Sequence, residues 1–211
     1  MSTKTEVEVK EYKLEIVADS DVESPRTWDN LGVMVCSHRR YNLGDEDGLH
    51  DAIRVVREHF SEDVDDEHDL TDPPTTYRLL MESGKAIVLP LYLYDHSGIT
   101  MSTKPFSCPW DSGQVGYIFV SKERVRKEYG WKNVTKRRIE QIERYLKGEV
   151  ETYDQYLRGD IWGFRTLEDG EEIDSCWGFY GDDPMKNGIH EHLSEPFKSL
   201  AEKGDYSTVY S

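Results

Sequence analysis

The sequence predicts an α+β fold, a single domain with a mostly antiparallel sheet and four to five helices. Three observations carry this. Short alternating or continuous apolar runs recur along the chain, helix-period segments with capping residues lie between them, and Asp169-Gly170 marks a tight hairpin near the end. The order is strands, a helix, more strands, helices, a hairpin and a last helix. That order suits neighbouring antiparallel strands better than repeated βαβ units.

Residues 6–18 (EVEVKEYKLEIVA) alternate in two phases. Val7 and Val9 share one parity, and Tyr12, Leu14 and Ile16 share the other, so a bulge or break is expected near Lys10-Glu11. Residues 31–38 (LGVMVCSH) form a short apolar strand after a turn around Pro25. A helix follows from Gly48 to Phe60, with Leu49, Ile53, Val56 and Phe60 on one face and Asp45 or Asp47 as its cap. The acidic loop at about 61–74 is closed by Pro73-Pro74, and residues 45–72 hold twelve Asp and Glu against two Arg. A block of this kind is expected to be solvated.

Residues 75–84 read as a helix capped by Thr75 or Thr76 and ended by Gly84. Two apolar runs, AIVLPLYLY and VGYIFVS, then bracket a polar middle. Ser121 caps a short helix stopped by Gly130. A stronger helix begins at Asn133 or Thr135, buries Ile139, Ile142 and Leu146, and resumes after a break at Gly148. Glu140/Arg144 and Glu143/Lys147 on it have ion-pair spacing. A hairpin over residues 160–181 and a terminal helix capped by Ser194 and ended by Gly204 complete the chain.

The 211 residues carry 26 Lys and Arg against 42 Asp and Glu, a formal charge of −16. That excess disfavours direct binding of nucleic acid or of an anionic membrane, and favours steering toward a basic protein surface. Thirteen Tyr and five Trp exceed what a small core needs, so some are expected to line a surface or cleft. The N-terminal residues lack the apolar stretch of a signal peptide, no apolar run is long enough to span a bilayer, and the three cysteines have no CxxC spacing. A cytoplasmic protein with reduced thiols is expected.

Chemistry-bearing residues concentrate in two segments. Residues 94–114 hold Asp95, His96, Cys108, Trp110, Asp111 and Gln114. Residues 24–48 hold Trp28, Asp29, His38, Arg39, Arg40, Asp45 and Asp47. As an enzyme site, Cys108 would be a nucleophile with His96 or His38 as base. Alternatively, His38 with Asp29, Asp95, His96 and Asp111 would hold a divalent metal for hydrolase or nuclease chemistry. Against the first stands the absence of a positive setting for the thiol. Asp95 and His96 are also adjacent on an extended chain and point to opposite faces. Asp, Ser and Gly in both segments equally serve as turn formers and helix caps. Two further features are weaker. His190-Glu191-His192 has no strand to align its imidazoles, and Cys176 reads as core. No nucleotide-loop, metalloprotease or nucleophile-elbow motif occurs, and no cofactor is predicted.

The phrases SPRTWDNLGVMVCSHRRYNLGD, LPLYLYDHSGITMS, FSCPWDSGQVGYI and GEVETYDQYLRGDIWGF together resemble a group of small uncharacterised proteins of bacteriophages and mobile elements. The resemblance covers about Ser24 to Gly181 and carries over no catalytic residue. It implies context, a bacterial cytoplasm under phage or element control, where small acidic proteins often bind and inhibit host proteins, including defence nucleases. Together with the −16 charge and the acidic block over 45–72, the expectation is an accessory protein acting by protein binding, an inhibitor of a host or defence nucleic-acid-binding protein with a basic surface. Some proteins of this kind imitate the charge of DNA. On that reading Trp28, Arg39, Arg40, Trp110 and Gln114, with the acidic Asp63, Asp65, Asp66, Glu67 and Asp69, are binding candidates.

Overall fold

A computed structural model describes residues 10–60 and 69–210, so Val7 and Val9 of the first expected strand, and Asp63, Asp65, Asp66 and Glu67, lie outside the described residues. The architecture is α+β with mostly antiparallel pairing. The described residues hold two four-stranded sheets rather than one. The chain forms two compact units, one from the segments before Ser24 and after Arg158, the other from Ser24–Arg158. No helix among the described residues is long and apolar enough to cross a membrane.

The first unit contains strands β1 (Tyr12–Ala18), β6 (Ile161–Glu168), β7 (Glu171–Tyr180) and β8 (Ser207–Val209), ordered β7-β6-β1-β8. Among the described residues of this unit, only the β1–β8 pairing is parallel. Asp169 and Gly170 have φ of 52° and 86°, the left-handed backbone that a two-residue hairpin turn demands. Leu14, Ile16, Trp162, Phe164 and Phe179 pack with Phe197 and Ala201 of the terminal helix. That helix spans Phe197–Lys203 and ends at Gly204 as expected, but no side chain caps it. The Ser194 carbonyl, not its hydroxyl, accepts a bond from the Lys198 amide. The single helical turn Ile189–His192 was not legible in the sequence.

The second unit contains β2 (Val33–Cys36), β3 (Ala86–Asp95), β4 (Ile99–Ser102) and β5 (Ser112–Ser121), ordered β2-β5-β3-β4 and wholly antiparallel. Its helices are α1 (Gly48–Arg57), α2 (Pro73–Ser83), α3 (Lys122–Tyr129) and α4 (Lys136–Leu157). Both faces of this sheet are covered, which is why the β5 sequence GYIFV is a continuous apolar run rather than an alternating one. Tyr117 and Phe119 pack with α1 and α2, while Ile118 and Val120 pack in the cluster that includes Ile142, Leu146 and Val150 of α4.

Several local expectations give way to tertiary partners. α1 ends at Arg57, short of the expected Phe60; it buries Ala52, Val55 and Val56, while Leu49, Ile53 and, beyond its end, Phe60 are buried only in part. α2 begins at Pro73-Pro74 and is capped by Asp72, whose carboxylate accepts from the Thr75 amide at 3.0 Å. Proline suits that first turn because its missing N–H has no partner there. Thr76 instead lies buried, its hydroxyl 2.6 Å from that of Tyr117. α4 runs unbroken through Gly148, because Val150 and Tyr153 extend the buried stripe of Ile142 and Leu146. Arg144 on it reaches the Glu140 carbonyl rather than the carboxylate. Ser121 and Gly130 bound α3 as the sequence predicts.

Asp45 does not cap α1 but belongs to a buried ionic cluster. The Arg26 side chain is 4% exposed, and its Nε and Nη2 meet the two Asp45 carboxylate oxygens at 2.7 and 2.9 Å. Its Nη1 lies 3.2 Å from Glu149 of α4, whose side chain is 8% exposed. Glu149 also accepts the Leu31 and Gly32 amides, and Asp45 accepts the Met34 amide. Burial alone would lower the Arg26 pKa, but the two carboxylates overcome it and hold the value raised. Burial raises the Glu149 carboxyl above its ordinary range, against the pull of the Gly32 amide and Arg26.

Removing one partner from such a cluster leaves a buried charge uncompensated. Arg26→Met is therefore expected to cost about 3–5 kcal/mol in urea unfolding, against about 0–1 kcal/mol for Arg40→Ala at an exposed pair; equal costs would contradict the assignment. A carboxyl whose pKa rises on folding binds its proton more tightly in the folded chain. Its stabilisation is therefore present below the ordinary carboxylate pKa and lost as pH climbs to the folded value. The stability of the native protein relative to Glu149→Gln, whose neutral amide stands in for the protonated carboxyl, should accordingly fall as pH rises from ~4 through that window.

Candidate functional site

The polar cleft of the second unit is built by strand register. β3 turns into β4 through Asp95–Gly98, with Ser97 at φ 58° and the His96 amide bonded to the Gly98 carbonyl at 3.0 Å. β3 also pairs with β5, and the register slips between Leu91 and Tyr92 so that Val115 becomes an extra residue on β5. A bulge of this kind redirects neighbouring side chains. The freed Val115 carbonyl accepts the Ser37 amide at 2.8 Å, which carries the chain beyond β2 and places His38–Arg40 beside β5. Gly116 is required at this point, since a Cβ there would stand 1.9 Å from the Val35 carbonyl oxygen.

The result is a cleft of about 490 Å³ that brings together His38, Arg39, Arg40, Asp95, Trp110, Asp111 and Gln114 from the two segments that the sequence singled out. Asp95 pairs with Arg40 and accepts the Tyr41 hydroxyl at 3.2 Å. The His38 ring stacks on Tyr41 with centroids 5.0 Å apart, and the Arg40 amide donates to His38 Nδ1 at 3.3 Å. His96 Nδ1 lies 3.3 Å from Asp111 Oδ2, and Cys108 Sγ donates to the same oxygen at 3.6 Å. Asp95 and His96 thus serve different partners, as their opposite directions on the strand require.

Tyr41 is the residue that sequence reasoning undervalued. It stands between His38, Arg40 and Asp95, and only the β2–β5 register reveals this. Other candidates lie elsewhere. Asp29 lines a separate small cleft with Arg124 and Tyr145. Trp28 is half-exposed and outside the polar cleft. Asp69 folds back on Thr71 in a local turn, and that hydroxyl holds its carboxyl below the usual range. Asp47 occupies the α1 cap position without a side-chain bond. His190 meets Glu202 while His192 packs edge-on against Phe179, so the two imidazoles do not converge. Cys176 is half-buried against the core of the first unit.

Each carboxylate already faces a cation or an imidazole, and the thiol of Cys108 has a carboxylate for a partner where an activated nucleophile has a base or a positive group. Among the described residues, no three His, Cys, Asp or Glu side chains are arranged to hold a metal ion. Metal-assisted hydrolysis by Asp29, His38, Asp95, His96 and Asp111 therefore has no ligand set there. Trp110 stands at the cleft with 91% of its surface exposed.

The cysteines differ in chemistry. Burial pushes the Cys36 thiol up to about 12, with Asp45 adding to the rise and Arg26 opposing it. In native protein at neutral pH, iodoacetamide should label Cys36 at least ~10-fold more slowly than Cys108; peptide mass spectrometry over time checks this, and equal rates would refute it. No family model, curated protein or solved structure matches this chain.

Proposed function

We propose that this chain is a binding protein, an accessory protein of the phage or mobile-element type that occupies a basic surface on a host or defence protein. The reading is supported above all by Trp110. An indole left 91% exposed beside a fixed network of Arg40, Tyr41, Asp95 and Asp111 has no role in the chain's own core. Trp, Tyr and Arg are the residue types that dominate the energetics of protein interfaces. The −16 charge supplies the long-range term, attracting a basic nucleic-acid-binding partner and repelling nucleic acid itself. Binding and inhibition in a bacterial cytoplasm is the function this combination serves.

Quantitative affinity capture from bacterial lysate tests it, with native protein, Trp110→Ala and Asp95→Ala/Asp111→Ala as baits. A basic nucleic-acid-binding protein should be retained by the native bait, at least ~10-fold less by Trp110→Ala, and progressively less as salt is raised. Retention that ignores both Trp110 and salt would overturn the reading.

A further inference from the structure

The polar cleft lies beside an open edge of the sheet. β2 pairs with β5 only as far as Cys36 opposite Gly116, and the chain leaves after the Ser37 amide has bonded the Val115 carbonyl. β5 itself extends back to Ser112. The Asp95 amide bonds the Asp111 carbonyl, and an antiparallel ladder alternates, so the amides and carbonyls of Ser112 and Gln114 face away from β3. Among the described residues no strand pairs with them on that side. An edge of this kind is a template for another strand.

Cavities flank this edge on both faces of the sheet. The polar cleft lies on the face of Leu93 and Asp95, with Trp110 and Asp111 at its wall. A cleft of about 390 Å³ lies on the opposite face, that of Tyr117, between β5 and the start of α2. The two meet at Ser37, Gln114 and Val115. In the second cleft Tyr77, Pro73 and Val115 are half-buried and Pro74 is exposed, so apolar surface is open there. In the polar cleft Arg40 is held by Asp95. Asp111 meets an imidazole and a thiol, and no Lys or Arg within ion-pair distance among the described residues.

We propose that an extended segment of the protein partner adds to the open edge of β5 as a further strand. The proposal rests on the reading of this chain as a binding protein and names the part of the partner that is held. Main-chain bonds to Ser112 and Gln114 set the register, and successive side chains of the added strand enter the two clefts in turn. Gly113, with open space where a Cβ would stand, leaves the floor of the polar cleft clear. A basic side chain there reaches Asp111 and lies over the exposed indole of Trp110. The next side chain, on the opposite face, is apolar and packs on Tyr77 and Pro73. The recognised segment therefore carries its basic and apolar residues at odd spacing. A helix cannot serve, because its amides are already bonded within it. A second copy of this chain suits the edge less well, because two chains of charge −16 repel each other.

Selection from a displayed library of short random peptides against the purified protein tests the proposal, with the selected peptides then measured by isothermal titration. They should carry a Lys or Arg and an apolar residue at odd spacing. Methylating their amides one at a time should weaken binding at least ~10-fold at alternate positions and little at those between, since only every second amide of an added strand faces its neighbour. Gln114→Pro removes an edge amide without touching the ladder to β3, and should weaken the same peptides at least ~10-fold with an unchanged circular dichroism spectrum. The methylation scan uses native protein, and decides alone should the variant misfold. The proposal is overturned if no peptide is enriched, if the scan is flat, if folded Gln114→Pro binds as the native protein does, or if the protein sediments as a dimer that Gln114→Pro dissociates. Gln114→Pro as a further bait in bacterial lysate separates this proposal from the reading beneath it. Retention of a basic protein that depends on Trp110 and salt but not on Gln114 keeps the reading and removes the added strand. Peptides with the alternating scan, but no basic protein retained, support the added strand and remove the reading.

Discussion

A guanidinium taken out of water must be given carboxylates, and Arg26 meets that requirement by drawing Asp45 and Glu149 to one point. The three residues come from the turn at Pro25–Thr27, the loop before α1, and the middle of α4. Their spare oxygens take the amides of Leu31, Gly32 and Met34, so the entrance to β2 is pinned to α4 on one side and to the start of α1 on the other. Nearby, Tyr153 of α4 donates no core contact alone, for its hydroxyl also accepts the Gly44 amide at 3.1 Å. The position of β2 against β5 follows from this anchoring. The polar cleft in turn follows from β2, because His38, Arg40 and Tyr41 leave its far end.

The charge of the chain has a pattern that its net value conceals. Acidic residues dominate the sequence as a whole, yet the stretch from Lys122 to Arg138 is strongly basic. The first property acts at long range and governs which partners approach. The second acts at short range, where α1 and α3 line one cleft with both signs. The polar cleft and the cleft between α1 and α3 therefore present different chemistry, the first a network of paired groups around an exposed indole, the second a set of cations of which Arg126 and Lys127 meet no carboxylate among the described residues.

What the sequence reveals here is what local interactions decide. Ser121, Gly84, Gly130 and the Asp169-Gly170 turn act within a few residues, and each does what its neighbours imply. Asp45 was misread because both its partners are distant in sequence, and a helix start beside it offered a nearer explanation. The cap of α2 was misplaced because Pro73-Pro74 end a loop as readily as they begin a helix. Gly148 suggested a break that the buried stripe of α4 overrides. At the candidate site, the residue types were visible but their convergence was not. It depends on a bulge at Val115 and on the register of β2 against β5, and neither leaves a mark in one sequence.

The division of the chain has a consequence for its biosynthesis. The second unit is one uninterrupted segment, whereas the first is assembled from both ends, with β1 pairing to β6 and β8. As the polypeptide leaves the ribosome, the segment from Ser24 to Arg158 emerges with every strand and helix it needs. β1 emerges earlier and must wait until residues 161–168 and 207–209 are made before its neighbours exist. Folding in the order of completion therefore closes the inserted unit first and joins β1 to its partner strands afterwards.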